Sequence, residues 1–156
     1  MDQIQNTVRM TRMTNSKITY FEDLAVGQEA SLSKAVSEGD IMAFAEISGD
    51  RNPVHVDAAY AAGTMFKERI AHGMLSAAFI SAVFGMKLPG PGAIYVSQTL
   101  NFKAPVKIGD TVVATVKLVE LNPEKKRARF ETVCTVDGTP VLTGEAQLKV
   151  PGRPAA

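Results

Sequence analysis

Apolar and polar positions change their rhythm partway along the chain. Up to about residue 86 the apolar residues recur mostly at helical spacing; beyond that they alternate with period two. Residues 20–28 read as a lead-in segment ending in a turn at Gly27, and residues 29–36 alternate as a first strand. Ser37 is placed to cap a helix, with Asp40 three residues on as the weaker partner of a capping box. Ile41, Phe44, Ala45 and Ile47 recur at helical spacing, and Gly49 stops that helix. Pro53 predicts irregular backbone over residues 50–56, and residues 58–66 are expected to form a second short helix.

Residues 72–86, HGMLSAAFISAVFGM, are apolar on nearly every helical face, with small side chains at Gly73, Ser76, Ala77, Ala78, Ser81 and Ala82. A helix of that kind is expected inside a protein, wrapped by other elements, with Met74 and Met86 filling the core. Four strand faces follow. They are Ile94, Val96, Leu100 and Phe102; Val112, Ala114, Val116 and Leu118; Phe130, Thr132, Cys134 and Val136; and Leu142, Ala146, Leu148 and Val150. Turn signals at residues 107–110, 122–126 and 137–140 separate them. One buried helix and about four long antiparallel strands predict an α+β domain whose curved sheet wraps the helix, the plan of a hot-dog domain, a pattern that other helix-on-sheet arrangements share. Its expected extent is residues 17–151, with a polar tail at 1–16 and a short tail at 152–156.

Composition narrows the function. The 156 residues are 46% apolar and 21% charged with a net charge of +1, so no broad basic field invites nucleic acid or an acidic membrane. The run at residues 72–86 is too short to span a bilayer, and the first sixteen residues lack the apolar run of a signal peptide; a cytoplasmic protein is expected. Cys134 is the sole cysteine and is expected as a buried structural thiol. With His55 and His72 as the only histidines and no metal-ligand spacing, neither a metal nor another cofactor is expected.

The chemistry concentrates in residues 44–61, FAEISGDRNPVHVDAAYA. Asp50 and His55 are five positions apart, roughly 17 Å in an extended chain, but Gly49 and Pro53 lie where the backbone can turn. A carboxylate and an imidazole converging on one water suit general acid–base addition to a double bond. Asn52 has a short amide able to hold such a loop through its backbone. The same residues are also ordinary turn formers, and spacing alone leaves both readings open.

The run SGDRNPVHVDAAYA at residues 48–61 closely resembles the motif of MaoC-like (R)-specific enoyl-CoA hydratases: Gly-Asp-x-Asn-Pro-aliphatic-His with a small residue, Ala61, six positions beyond the histidine. The likeness continues through IAHGML at 70–75, IYVSQTLNFKAPVKIGDTV at 94–112 and TGEA at 143–146. The resemblance implies a hot-dog fold and water activation by Asp50 and His55 on a trans-2-enoyl-CoA. It also implies an oxyanion hole at the backbone N–H of Gly73, where a helix N-terminus offers free donors. Ser81 corresponds to a helix serine near the site in some relatives, although small residues there also serve packing. His72 is expected to make a supporting hydrogen bond at the start of that helix. A homodimer is implied as well. Three other readings stay open: the reverse reaction, a 3-hydroxyacyl-thioester dehydratase; a hot-dog thioesterase, against which the intact motif argues; and a non-catalytic acyl-CoA-binding module.

Overall fold

The structure, a computed structural model, describes residues 17–156; the polar stretch expected as a tail at 1–16 lies outside the described residues. Three long strands form an antiparallel meander, β4 (Thr111–Asn122), β5 (Arg127–Val136) and β6 (Thr139–Lys149). β1 (Glu29–Ala35) joins the outer side of β4 and β2 (Ile94–Gln98) joins β6, giving the order β1-β4-β5-β6-β2. A two-residue strand β3 (Asn101–Phe102) also pairs with β6.

One face of the meander is the core. Val112, Ala114, Val116, Leu118, Phe130 and Cys134 are wholly buried, as the period-two pattern requires. On that face lies α4 (Gly73–Met86), which packs against β1, β4, β5 and β6 through the side carrying Leu75, Ile80, Val83 and Phe84. Phe84 meets Phe130 edge to face at 5.0 Å between ring centroids. Truncating either ring to alanine is worth roughly 3–5 kcal/mol.

The expectation that α4 is enclosed on every side needs correcting. Met74 and Met86 are 54% and 65% exposed, and Ala78 and Ser81 share that open side. The methionines therefore do not fill this chain's core. Periodicity records that a face is apolar, but a neighbouring subunit and the chain's own sheet leave the same trace in sequence. A second correction concerns residues 94–102, expected as one strand face. The register shifts between Tyr95 and Ser97, the strand breaks at Thr99 and Leu100, and Ile94, Val96 and Phe102 are exposed.

Local signals upstream behaved as chemistry predicts. The Ser37 hydroxyl accepts from Asp40 N at 3.1 Å, and the Asp40 carboxylate accepts from Ser37 N at 2.9 Å, closing the capping box of α1 (Glu38–Ser48). Gly49 ends α1 with φ 79°, a left-handed geometry that a side chain would strain. Pro53 does not leave its segment irregular. It occupies the first turn of α2 (Pro53–Val56), where a missing N–H costs nothing. α3 (Ala58–Ala62) follows, shorter than expected, capped by Asp57 accepting from Tyr60 N at 3.0 Å. At the far end, Phe21 N donates to Pro151 O at 2.8 Å and Arg153 N donates to Glu22 at 2.8 Å, so the start of the C-terminal stretch is docked against the lead-in segment.

Candidate active site

The segment between α1 and α2 is shaped by its own short side chains. Asp50 Oδ1 accepts from Asn52 N at 3.1 Å, and Asn52 Oδ1 accepts from Val54 N at 3.2 Å as the N-cap of α2. Asn52 thus holds the loop through backbone, as its short amide suggested. The turn spends one carboxylate oxygen of Asp50 on the loop and leaves the other, Oδ2, facing His55 Nε2 at 4.0 Å.

His55 is pinned from outside this segment. Its Nδ1 lies 2.7 Å from the carbonyl oxygen of Ile70. A carbonyl can only accept, so Nδ1 carries a proton, and in the neutral ring Nε2 presents a lone pair toward Asp50. Arg69 reinforces the arrangement: its Nε donates to His55 O at 2.6 Å while its guanidinium pairs with Glu38 at 2.7 Å. Residues 69–71 are stitched to α2 by Ile70 N to Val54 O at 3.2 Å and to the β3–β4 connection by Ala71 N to Val106 O at 2.7 Å. The outcome is an imidazole with an 11% exposed side chain beside a half-exposed carboxylate, two acceptors too far apart to bond to each other.

His55 opens onto a mainly apolar cavity of about 560 Å³ walled by Phe66, Ile70, Phe102, Val106 and Leu142 among others. Gly73 lies on that wall as the first residue of α4, and His72, the N-cap, gives its helix end no side-chain cap. Gly73 and Met74, at the positive end of the helix dipole, both line the cavity. The Phe102 ring sits over Gly73 so closely that a Cβ there would lie 2.5 Å from Phe102 Cε1.

His72 makes the supporting contact anticipated at the helix start, and its acceptor is the carbonyl oxygen of Asp50, 2.9 Å from Nε2. Ser81 is not brought to this cavity. It is exposed on the open side of α4, in a groove with Phe44, Met74, Ala78, Tyr95 and Leu100. Cys134 is buried, its thiol pushed up to about 12 by burial, which fits a structural thiol. Lys103 lines the cavity, whereas Lys125, Arg127 and Arg129 gather in a separate polar recess.

Asp50, His55 and His72 offer ligand atoms within 4.8 Å of one another. The histidine rings stack, however, with planes only 28° apart, and an ion bonded to both would have to lie in both planes at about 2 Å from each nitrogen. Planes so nearly parallel meet much further out. The cluster suits a small hydrogen-bonding molecule better than a shared metal.

Sequence reasoning missed the far wall of the cavity. Phe102, Val106 and Leu142 look like any strand or loop apolar residues, and nothing local marks them. Phe66 was read only as the end of a short helix.

Fold and site together define a hot-dog domain with a carboxylate and an imidazole facing each other beside a mainly apolar cavity. Residues 22–143 match the MaoC-like domain family, and the chain belongs to it. It is 63% identical over 134 residues to the (R)-specific enoyl-CoA hydratase of Rhodospirillum rubrum, spanning 86% of this chain and 93% of that protein. It is 54% identical over 140 residues to the 3-hydroxybutyryl-CoA dehydratase of Methylorubrum extorquens, covering 90% and 89% of the two. Among solved structures it is similar to the unliganded R-hydratase of Pseudomonas aeruginosa, with TM-score 0.82, 49% identity, and coverage of 86% and 87%.

Proposed function

We propose that this chain catalyses (R)-specific addition of water to a trans-2-enoyl-CoA, giving the (R)-3-hydroxyacyl-CoA. The observation that carries the reading is the 4.0 Å separation between Asp50 Oδ2 and His55 Nε2, two acceptors facing one another, with His55 on the wall of an apolar cavity. One water donating to both would satisfy each, with its oxygen lone pairs free for the substrate. The names of the Rhodospirillum and Pseudomonas relatives support the substrate class and the stereochemistry.

In this mechanism a proton of the bound water passes to the Asp50–His55 pair while the oxygen forms a bond to C3 of the enoyl thioester. The C2–C3 π electrons move toward the thioester carbonyl, whose oxygen gains negative charge and accepts from Gly73 N–H. Return of a proton from the pair to C2 completes the addition, so no redox step or nucleotide is needed. The reverse reaction, dehydration of a 3-hydroxyacyl thioester, runs through the same atoms, and the Methylorubrum relative is named for that direction. His55 enters with Nε2 free to accept because Ile70 O holds the proton on Nδ1.

The open side of α4 and the edge strand β2, with Ile94 59% and Val96 43% exposed, support a homodimer in which a second copy covers both. Ser81 would then lie near the subunit boundary. A cytoplasmic location accords with the described residues, in which no helix is long and apolar enough to cross a membrane.

The test is direct. Purified protein, without added metal or nucleotide, removes the conjugated absorbance of crotonyl-CoA or a longer enoyl-CoA. The product is oxidised by an (R)-specific 3-hydroxyacyl-CoA dehydrogenase. An exclusively (S) product, or thiol release without hydration, rejects the proposal.

A further inference from the structure

His72 sits where the three parts of the site meet, and the hydration mechanism above gives it nothing to do. Its side chain is almost wholly buried, at 2% exposure. Nε2 lies 2.9 Å from the Asp50 carbonyl oxygen, which can only accept, so Nε2 carries the proton and donates. The ring stacks on His55, with centroids 3.9 Å apart, and Phe44 approaches it at 4.9 Å. Its own backbone is the N-cap of α4, one peptide before Gly73.

The remaining nitrogen, Nδ1, is buried and has no hydrogen-bond partner among the described residues. A core-filling role explains this poorly. A phenylalanine would stack on His55 equally well and strand no polar atom, whereas an unsatisfied buried acceptor costs stability. What histidine adds over phenylalanine is the single donor to the backbone of the residue bearing the carboxylate.

We infer that His72 is a positioning residue for the hydration step. One imidazole sets the height of the Asp50 main chain, through its hydrogen bond, and the plane of the His55 ring, through the stack. Both are referred to the helix start at Gly73. Asp50 and His55 can share one water only while their 4.0 Å separation is kept, and a displacement of 1 Å in such a site costs on the order of 10² in rate. His72 touches no reacting atom; it acts through its two neighbours. The inference rests on the proposed hydratase reading.

Two variants separate the donor from the stack. His72→Phe keeps an aromatic ring against His55 and removes the donor; His72→Gln keeps an amide donor of similar reach and removes the ring. The expected result is a fall in kcat of roughly 10–100-fold for His72→Phe with KM within about twofold, and recovery of part of that loss in His72→Gln, the remaining deficit being that of the lost stack. Turnover is counted per folded molecule, with folded fraction read by circular dichroism. Wild-type kcat in His72→Phe, or a loss carried wholly by KM, overturns the inference, as does His72→Gln falling as low as His72→Phe. A merely structural role would lower the melting temperature and leave kcat per folded molecule intact. A further arm needs neither a variant nor activity. Ring-nitrogen NMR of the wild-type protein at pH 8 should show the Nε2–H tautomer for His72 and the Nδ1–H tautomer for His55. The opposite tautomer at His72 overturns the inference even if the enzyme is active, whereas a wild-type protein that hydrates no enoyl-CoA rejects the proposed function and leaves the tautomer result to stand.

Discussion

The Phe102 ring lies against the α-carbon of Gly73, in the space a β-carbon would take: a Cβ built there would come within 2.5 Å of Cε1 and 2.7 Å of Cδ1. Glycine at the start of α4 thus leaves the Phe102 ring the position it takes across the cavity. Phe102 is 55% exposed, so its ring has room to turn away.

Gly73→Ala should therefore fold, with alanine's better helix propensity offsetting part of the crowding. Turnover should fall because the methyl group and the displaced ring both intrude on the cavity. Combining it with Phe102→Leu relieves the ring clash while leaving the methyl group beside the N–H. Steady-state kinetics on short and long enoyl-CoA substrates check this: unchanged kcat in Gly73→Ala would remove close approach at Gly73 from the mechanism.

Asp50→Asn and His55→Gln should each cost on the order of 10²–10⁴ in kcat, the usual scale of general acid–base catalysis. Groups that handle one water act as a unit, so the double variant should be little worse than the poorer single one. Asp50 Oδ1 also accepts from Asn52 N, a bond the asparagine oxygen retains, so stability should fall by no more than about 1–2 kcal/mol. Thermal melts and kinetics on the same four proteins test both halves. Weakened folding with intact turnover per folded molecule would make these residues turn formers only.

Val96→Lys should weaken self-association. Val96 lies on the edge strand β2, 43% exposed in the single chain, and a lysine on such an edge opposes pairing with another strand. Sedimentation velocity should give a dimer for the wild type and a dissociation constant raised by roughly tenfold or more for the variant. A wild-type protein that is monomeric at micromolar concentration with full activity contradicts the dimer.

Glu22 carries an acid-sensitive contact between the two ends of the described chain. Arg153 N donates to it at 2.8 Å and Lys126 Nζ lies 3.0 Å away, and the backbone donor foremost lowers its carboxyl from 4.5 to about 2. Because the folded value is the lower one, the stabilisation is complete above pH 4.5 and disappears as pH falls toward 2. Glu22→Gln should thus melt slightly below wild type at neutral pH, the gap closing through that window; a gap that persists at pH 2 would assign the effect to something other than charge. The effect should be small, since the group is exposed.

Period two over β4, β5 and β6, the capping box at Ser37 and Asp40, and the left-handed stop at Gly49 were all legible in the sequence. Each is settled by residues within a few positions of one another. The Asp50–Asn52 turn is local in the same sense, which is why a motif could carry it. The tautomer of His55 was not legible, because it depends on Ile70 O, fifteen residues away. Nor was the partner of His72, twenty-two residues back at Asp50, or the Phe102 ring that fills the space over Gly73. The open side of α4 at Met74, Ser81 and Met86 was hidden for another reason: an apolar face has the same periodicity whether it meets its own sheet or a second chain. Local hydrogen bonding and side-chain alternation are written residue by residue, whereas the proton positions, the cavity walls and the uncovered helix face arise only when distant segments are packed together.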